Sequence, residues 1–116
     1  MAIVTGAAKG IGLAIVRKLL SAGGRVVVND IDSELLHEVV HRLHQDGYEC
    51  TAVKGDSSDP AVIRHMVQTA VHSYGRLDTV IANAGITLFG DFLSYNADDF
   101  RRVMEVNLSG TFFLVQ

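Results

Sequence analysis

A glycine-rich octapeptide, Thr5-Gly6-Ala7-Ala8-Lys9-Gly10-Ile11-Gly12, follows a short apolar run, Ala2 to Val4, and opens into a segment of helical apolar periodicity. The order reads strand, glycine turn, helix. Glycine reaches positive φ at little cost and lets the main chain approach a ligand with no Cβ in the way. The helix that follows offers unpaired N–H groups and the positive end of its dipole to an anion. The stretch is therefore a candidate phosphate cradle, with Gly6, Lys9, Gly10, Ile11 and Gly12 nearest the anion. A tight strand-to-helix turn without a ligand accounts for the same residues. The spacing, G-x-x-x-G-x-G, differs from the G-x-G-x-x-G form of many dinucleotide folds, and no G-K-[ST] ending marks a Walker-type NTPase.

Beyond the loop, Ile11, Ala14, Ile15, Leu19 and Leu20 recur at helical spacing until Gly23-Gly24. Arg25 to Asp30 contains three consecutive valines, as suits a strand buried on both faces of a parallel sheet. Ser33 is placed to cap a second helix with Leu35, Leu36, Val39, Val40 and Leu43 on its apolar stripe, closed by Gly47. Tyr48 to Lys54 reads as a third strand. Asp59-Pro60 starts a third helix, with Val62, Ile63, Met66, Val67, Ala70, Val71 and Tyr74 inward and Gly75 at its end. Leu77 to Ala82 is the fourth strand, and Asn83-Ala84-Gly85 turns into a loop reaching about Tyr95. A last helix runs from Asn96-Ala97-Asp98-Asp99 through Phe100, Val103, Met104, Leu108, Phe112, Phe113 and Val115, with Asn107 and Gly110 as poor helix formers inside it.

Strand and helix alternate with short turns, which predicts an α/β fold: a doubly wound parallel sheet of Rossmann type, in three layers. One domain over residues 1–116 is expected, since no linker, repeat or low-complexity tract divides it. Ligands of such sheets bind at the carboxyl ends of the strands, where strand order reverses. A net charge of −3 without a basic run argues against nucleic acid, and no apolar stretch is long enough to span a bilayer. Cys50 is the only cysteine, so no intrachain disulfide forms. With no signal segment ahead of the first strand, a cytoplasmic location is the expectation.

Several polar residues fall at strand ends. Asp30 ends the second strand, where an acid can accept hydrogen bonds from both ribose hydroxyls of an adenosine and repel a 2′-phosphate. A helix-capping or turn aspartate is the alternative. With the glycine loop it favours NAD over NADP. Lys9 is a counter-signal, as a lysine that could meet a phosphate or simply be solvated. Asp56 and Ser57 follow the third strand, where a carboxylate could accept from an adenine amino group or serve as a plain turn residue. Asn83 and Gly85 end the fourth strand, placed either to face the cofactor's ribose or only to pin the sheet. His37, His41 and His44 lie along one helix at i, i+4 and i+7, but no further ligand joins them, and no metal site is expected.

Together these residues resemble the N-terminal half of a short-chain dehydrogenase/reductase. Thr5 to Gly12 is similar to that family's cofactor loop, Asp30 to its NAD-selecting acid and Asp56 to its adenine-binding aspartate. Ala82-Asn83-Ala84-Gly85 resembles its N-N-A-G motif, with Ala82 where an Asn often stands. Val106 to Phe112 resembles the helix motif around its catalytic Asn, here Asn107. The resemblance implies hydride transfer between a nicotinamide cofactor and a secondary alcohol or ketone; a 3-oxoacyl thioester, a sugar or a polyol all fit. It also implies that Asn107 bends its helix and helps hold a proton-relaying water chain, and that the complete protein is a homo-oligomer, a dimer or tetramer.

The family's Ser and Tyr-x-x-x-Lys are absent here. Four places after Tyr48, Tyr74 and Tyr95 stand Ala52, Asp78 and Asp99. The chain as given is therefore expected to be a truncated cofactor-binding portion, incomplete at the C-terminal side of its sheet and inactive alone. A non-catalytic NAD-binding module is the alternative; a reading frame that continues into a Ser and a Y-x-x-x-K separates the two. A methyltransferase is disfavoured by the A-N-A-G turn and Asn107. An apolar fourth strand left as a sheet edge, with phenylalanines bared on the last helix, also predicts self-association.

Overall fold

The computed structural model describes residues 1–116. Four parallel strands, β1 (Ala2–Val4), β2 (Val26–Asp30), β3 (Cys50–Lys54) and β4 (Thr79–Ile81), lie in the order β3-β2-β1-β4. The helices are α1 (Gly10–Ser21), α2 (Ser33–Gln45), α3 (Pro60–Tyr74), α4 (Ala97–Met104) and α5 (Gly110–Val115). A π-helical turn, Glu105–Ser109, joins the last two. The register sets Ile3 beside Val27 and Val80, and Val4 beside Val28 and Ile81. Strand order thus reverses between β1 and β4, as expected of a doubly wound sheet.

Strand alternation divides the core into two layers. Val4, Val26 and Val28 pack with Val16 and Leu20 of α1 and with Leu36, Val39, Val40 and Leu43 of α2. Ile3 and Val27 point the other way, onto Ile63, Met66 and Ala70 of α3 and Leu114 of α5. Each fully buried aliphatic side chain contributes about 1.5–3 kcal/mol.

The structure corrects the sequence reading at several places. The buried face of α1 is Gly12, Val16 and Leu20, while Ile11 and Ala14 are exposed. Gly12 lets this face approach the loop, while Leu20 of the expected stripe is buried and Ile15 and Leu19 pack against the core. Val71 is half exposed, because α3 buries only the Ile63, Met66 and Ala70 ridge. The cap of α2 is Asp32, whose carboxylate accepts the Leu35 amide at 3.1 Å, and Ser33 is the first helical residue. Strand β3 starts at Cys50, two residues later than expected, and β4 keeps only the three residues that pair with β1. No helix is long and apolar enough to cross a membrane.

Beyond β4 no strand follows, and Val80 and Ile81 are only half buried. Phe112 is 60% exposed, and Phe89 and Phe92 exceed 90%. The 116-residue polypeptide is therefore expected to self-associate. Sedimentation velocity checks this; a single species of monomer mass across concentrations would contradict it.

Burial pushes the Cys50 thiol up to about 11, so only about a thousandth is thiolate at pH 8. A disulfide reagent should label the native protein far more slowly than the urea-unfolded chain. Equal rates would show that Cys50 is not enclosed.

Candidate cofactor site

The carboxyl ends of all four strands open into one cleft of about 450 Å³. Gly6 and Lys9 border it from the glycine loop, Asn29 to Asp32 from the end of β2, and Gly55 to Ser57 from the end of β3. Asn83 to Ile86 border it from the end of β4, and Arg102 and Val106 from the helices beyond. The cleft lies where strand order reverses.

The loop under it is backbone-controlled. Gly6 and Gly10 have φ of +59° and +57°. A Cβ on Gly6 would lie 2.9 Å from the Ala84 Cα, and one on Gly12 would lie 2.3 Å from the Gly6 carbonyl oxygen and 2.6 Å from Asn83 Nδ2. Helices α2, α3 and α4 are capped by the side chains of Asp32, Asp59 and Asn96, whereas the α1 cap, Lys9, gives no side-chain hydrogen bond. The amides of Gly10, Ile11 and Gly12 donate to nothing in the protein; the first bonded amide is Leu13, to Lys9 O at 3.2 Å. Uncapped amides beside side-chain-free backbone fit a pyrophosphate. Their own atoms do not border the cleft: Gly12 is buried beneath the loop, and the Ile11 side chain stands in solvent.

Asn83 is spent as a pin. Its Nδ2 donates to Thr5 O at 3.0 Å and to Gly6 O at 2.9 Å, which uses both amide hydrogens and leaves Oδ1 free. Thr5 Oγ1 accepts the Asn83 and Ala84 amides, each at 3.1 Å. Asp30 is buried at the end of β2, where one oxygen accepts the Ala8 amide at 2.9 Å and the other the Asp32 amide at 3.1 Å. It therefore ties β2 to the glycine loop and still keeps unused lone pairs toward the cleft. Asn29 donates to Val53 O and Gly55 O, locking the β3 turn.

Asp56 Oδ1 accepts the Ser58 amide at 2.9 Å and the Ser58 hydroxyl at 2.7 Å, and Oδ2 is paired with Arg102 of α4. Burial works to raise its pKa. The Ser58 and Arg102 hydrogen bonds and the Arg102 charge outweigh burial and hold the carboxyl below its usual range. Ser57 is buried beside it. Gly85 faces Asn107, whose Oδ1 would lie 3.3 Å from an added Cβ. Asn107 sits in the π-helical turn and clamps Ile86 twice: its Oδ1 accepts the Ile86 amide at 2.8 Å and its Nδ2 donates to Ile86 O at 2.9 Å.

The cleft thus gathers Gly6, Lys9, Asp30, Asp56, Ser57, Asn83, Ala84 and Gly85, while Asn107 reaches it through Ile86. Arg102, Asn29, Thr5 and Ile86 were missed in the sequence. Only Thr5 had a local signal, a hydroxyl between strand and first glycine. The histidines stay apart: His37 Nδ1 lies 2.7 Å from Ser33 O and His44 Nε2 lies 2.7 Å from Cys50 O. No three His, Cys, Asp or Glu side chains converge.

A parallel sheet reversing at β1/β4, with an uncapped glycine-loop helix and a buried acid ending β2, defines a nucleotide-binding α/β domain of the Rossmann class. The chain belongs to the short-chain dehydrogenase family, whose model matches residues 1–116. It is 38% identical over 117 residues to versicolorin reductase stcU of Emericella nidulans, which covers all of this chain and 44% of that protein. It is 34% identical to a diacetyl reductase, (S)-acetoin forming, of Staphylococcus epidermidis, covering 99% of this chain and 45% of that one. Among solved structures, a blue fluorescent protein from a metagenomic library in complex with NADPH matches with a TM-score of 0.90 at 34% identity, over 99% of this chain and 48% of that one. A 3-ketoacyl-ACP reductase from Sinorhizobium meliloti matches at 0.93 and 31% identity, over 98% and 45%. The chain spans less than half the length of these relatives.

Two alanine substitutions test the loop. Gly12→Ala forces a Cβ into backbone and should lose about 1–3 kcal/mol or more. Gly10→Ala meets no atom within 4 Å and should lose only the left-handed backbone cost, about 1–2 kcal/mol. Urea midpoints measure both. A Gly12→Ala protein as stable as wild type would contradict the packing described.

Proposed function

We propose that this chain binds NAD across the carboxyl ends of its sheet, as the cofactor-binding part of a short-chain oxidoreductase. The observation that carries the reading is Asp30, buried at the end of β2, bonded to the Ala8 amide and bordering the same cleft as the uncapped glycine loop. The amides of Gly10, Ile11 and Gly12, with Gly6 leaving room for the main chain, would hold the pyrophosphate. Lys9, exposed at the rim, adds positive charge. Asp30 would accept the adenosine ribose hydroxyls, and Asp56 and Ser57 would border the adenine. Asn83 would offer its free Oδ1, and Ala84 and Gly85 their backbone, on the nicotinamide side.

When bound, the nicotinamide ring supplies a hydride acceptor or donor. The reaction served is hydride transfer to or from a secondary alcohol or ketone, with a 3-oxoacyl thioester, sugar or polyol as possible substrate classes. Asn107 would act by holding Ile86 and the π-helical turn in place. A Tyr-x-x-x-Lys is absent from these residues, so the chain by itself should turn over no alcohol.

The choice of NAD over NADP rests on charge: a buried carboxylate already bonded on both oxygens repels a 2′-phosphate. Lys9 and the likeness to a protein solved with NADPH weigh the other way; Lys9 is solvent-screened and Asp30 is not. Calorimetry should show NAD binding at least about tenfold tighter than NADP, and Asp30→Asn should narrow that gap. Equal affinities overturn the NAD assignment, and no binding of either nucleotide at millimolar concentration overturns the reading itself.

A further inference from the structure

Helix α4 is oddly attached. None of its residues is buried, and Phe100 is 57% exposed. The hydrogen bonds of Asn96 and Asp98 stay within its own first turn. Arg102 is the one residue of α4 whose side chain hydrogen-bonds the rest of the domain. Its Nη2 is paired with Asp56, and its Nη1 donates to Ser58 Oγ at 3.1 Å. Ser58 Oγ in turn donates to Asp56 Oδ1 at 2.7 Å, which closes a ring of three side chains. Arg102 Nη1 also lies 3.7 Å from Glu105, the first residue of the π-helical turn that carries Asn107. Asp56 and Arg102 both border the cleft.

We propose that Arg102 is a positioning residue that couples the adenosine end of the cleft to α4, so that occupancy of that end docks the helix. The inference rests on the cofactor reading above. A carboxylate offers about four lone-pair positions, and Ser58 and Arg102 fill three of those on Asp56. The remaining position is aimed by the ring, and the guanidinium that aims it is the tether of α4. A base donating to Asp56 therefore favours the arrangement in which Arg102 is engaged and α4 is docked. By reciprocity, a chain with Arg102 engaged binds adenosine ligands more tightly. The mononucleotide on the nicotinamide side does not reach Asp56 and is indifferent to the ring.

The test uses the whole chain with ADP-ribose and nicotinamide mononucleotide as separate probes. Hydrogen exchange is followed over residues 97–109, and calorimetry is run on wild type, Arg102→Gln and Arg102→Lys. ADP-ribose should slow exchange across α4 in wild type. It should bind Arg102→Gln about tenfold more weakly without slowing α4, while nicotinamide mononucleotide binds both alike. Arg102→Lys keeps the charge but not the two-pronged contact and should restore part of the effect. Ligand-insensitive α4 exchange in a wild type that binds ADP-ribose overturns the coupling and leaves the cofactor reading intact. So does equal affinity in wild type and Arg102→Gln. Wild type that binds no ADP-ribose overturns both. Should Arg102→Gln not fold, the Lys variant and the wild-type exchange measurement decide alone.

Discussion

The cleft depends on the tie between the ends of β1 and β4. Two strands separated by more than seventy residues are held edge to edge by Thr5 and Asn83, each bonding the other's backbone. The arrangement works only because position 12 carries no Cβ; any side chain there would strike the Gly6 carbonyl and the Asn83 amide together. Glycine at this position therefore acts in tertiary packing, and flexibility is a lesser part of its role. With α1 seated against the loop, its first amides stay uncapped, and the positive end of the helix is left for an anion.

Around that tie the acids of the cleft are arranged to be satisfied before any ligand arrives. Asp30 holds the glycine loop and Asp56 holds α4 through Arg102. Neither is an isolated charge lowered into a pocket, which would be costly. Each is a bonded carboxylate with a little capacity left over. A ligand donating to such a group finds its orientation already fixed, so less ordering entropy is lost on binding.

Much of this could be read from the residues in order. The β2 valines announced a strand with two covered faces, and Val26 and Val28 do lie opposite to Val27. Asp59-Pro60 marked the start of α3 to the residue. The glycine spacing located the cradle, and the strand-end acids fell where the sheet gathers them. The inward stripe of α2 was read correctly, and what failed was the edge of the faces of α1 and α3, where Ile11, Ala14 and Val71 are exposed. Ile11 looked inward by period, but Gly12 and Val16 take the buried face beside the expected Leu20. Arg102 carried no signal, because its partner lies 46 residues earlier and the contact exists only after the sheet forms. Asn83 was legible both as a site residue and as a pin for the sheet, and the two hydrogens it spends on Thr5 O and Gly6 O make the pin.

The wide turn from Glu105 to Ser109 also sets the angular phase of the chain's last helix. Arg102, Val106, Gly110 and Leu114 all face the domain, each four residues after the last. On a regular α-helix that spacing would rotate the contact line by about 40° at every step, carrying Leu114 away from α3. Because a π-helical turn takes more residues per revolution, it takes up part of this drift, so that one nearly straight seam runs from the cleft to the second core layer. Removing a single residue from the turn would leave Leu114 eleven positions after Arg102, only about 20° round a regular α-helix, so the wide turn accommodates one residue more than an α-helical seam of this length needs.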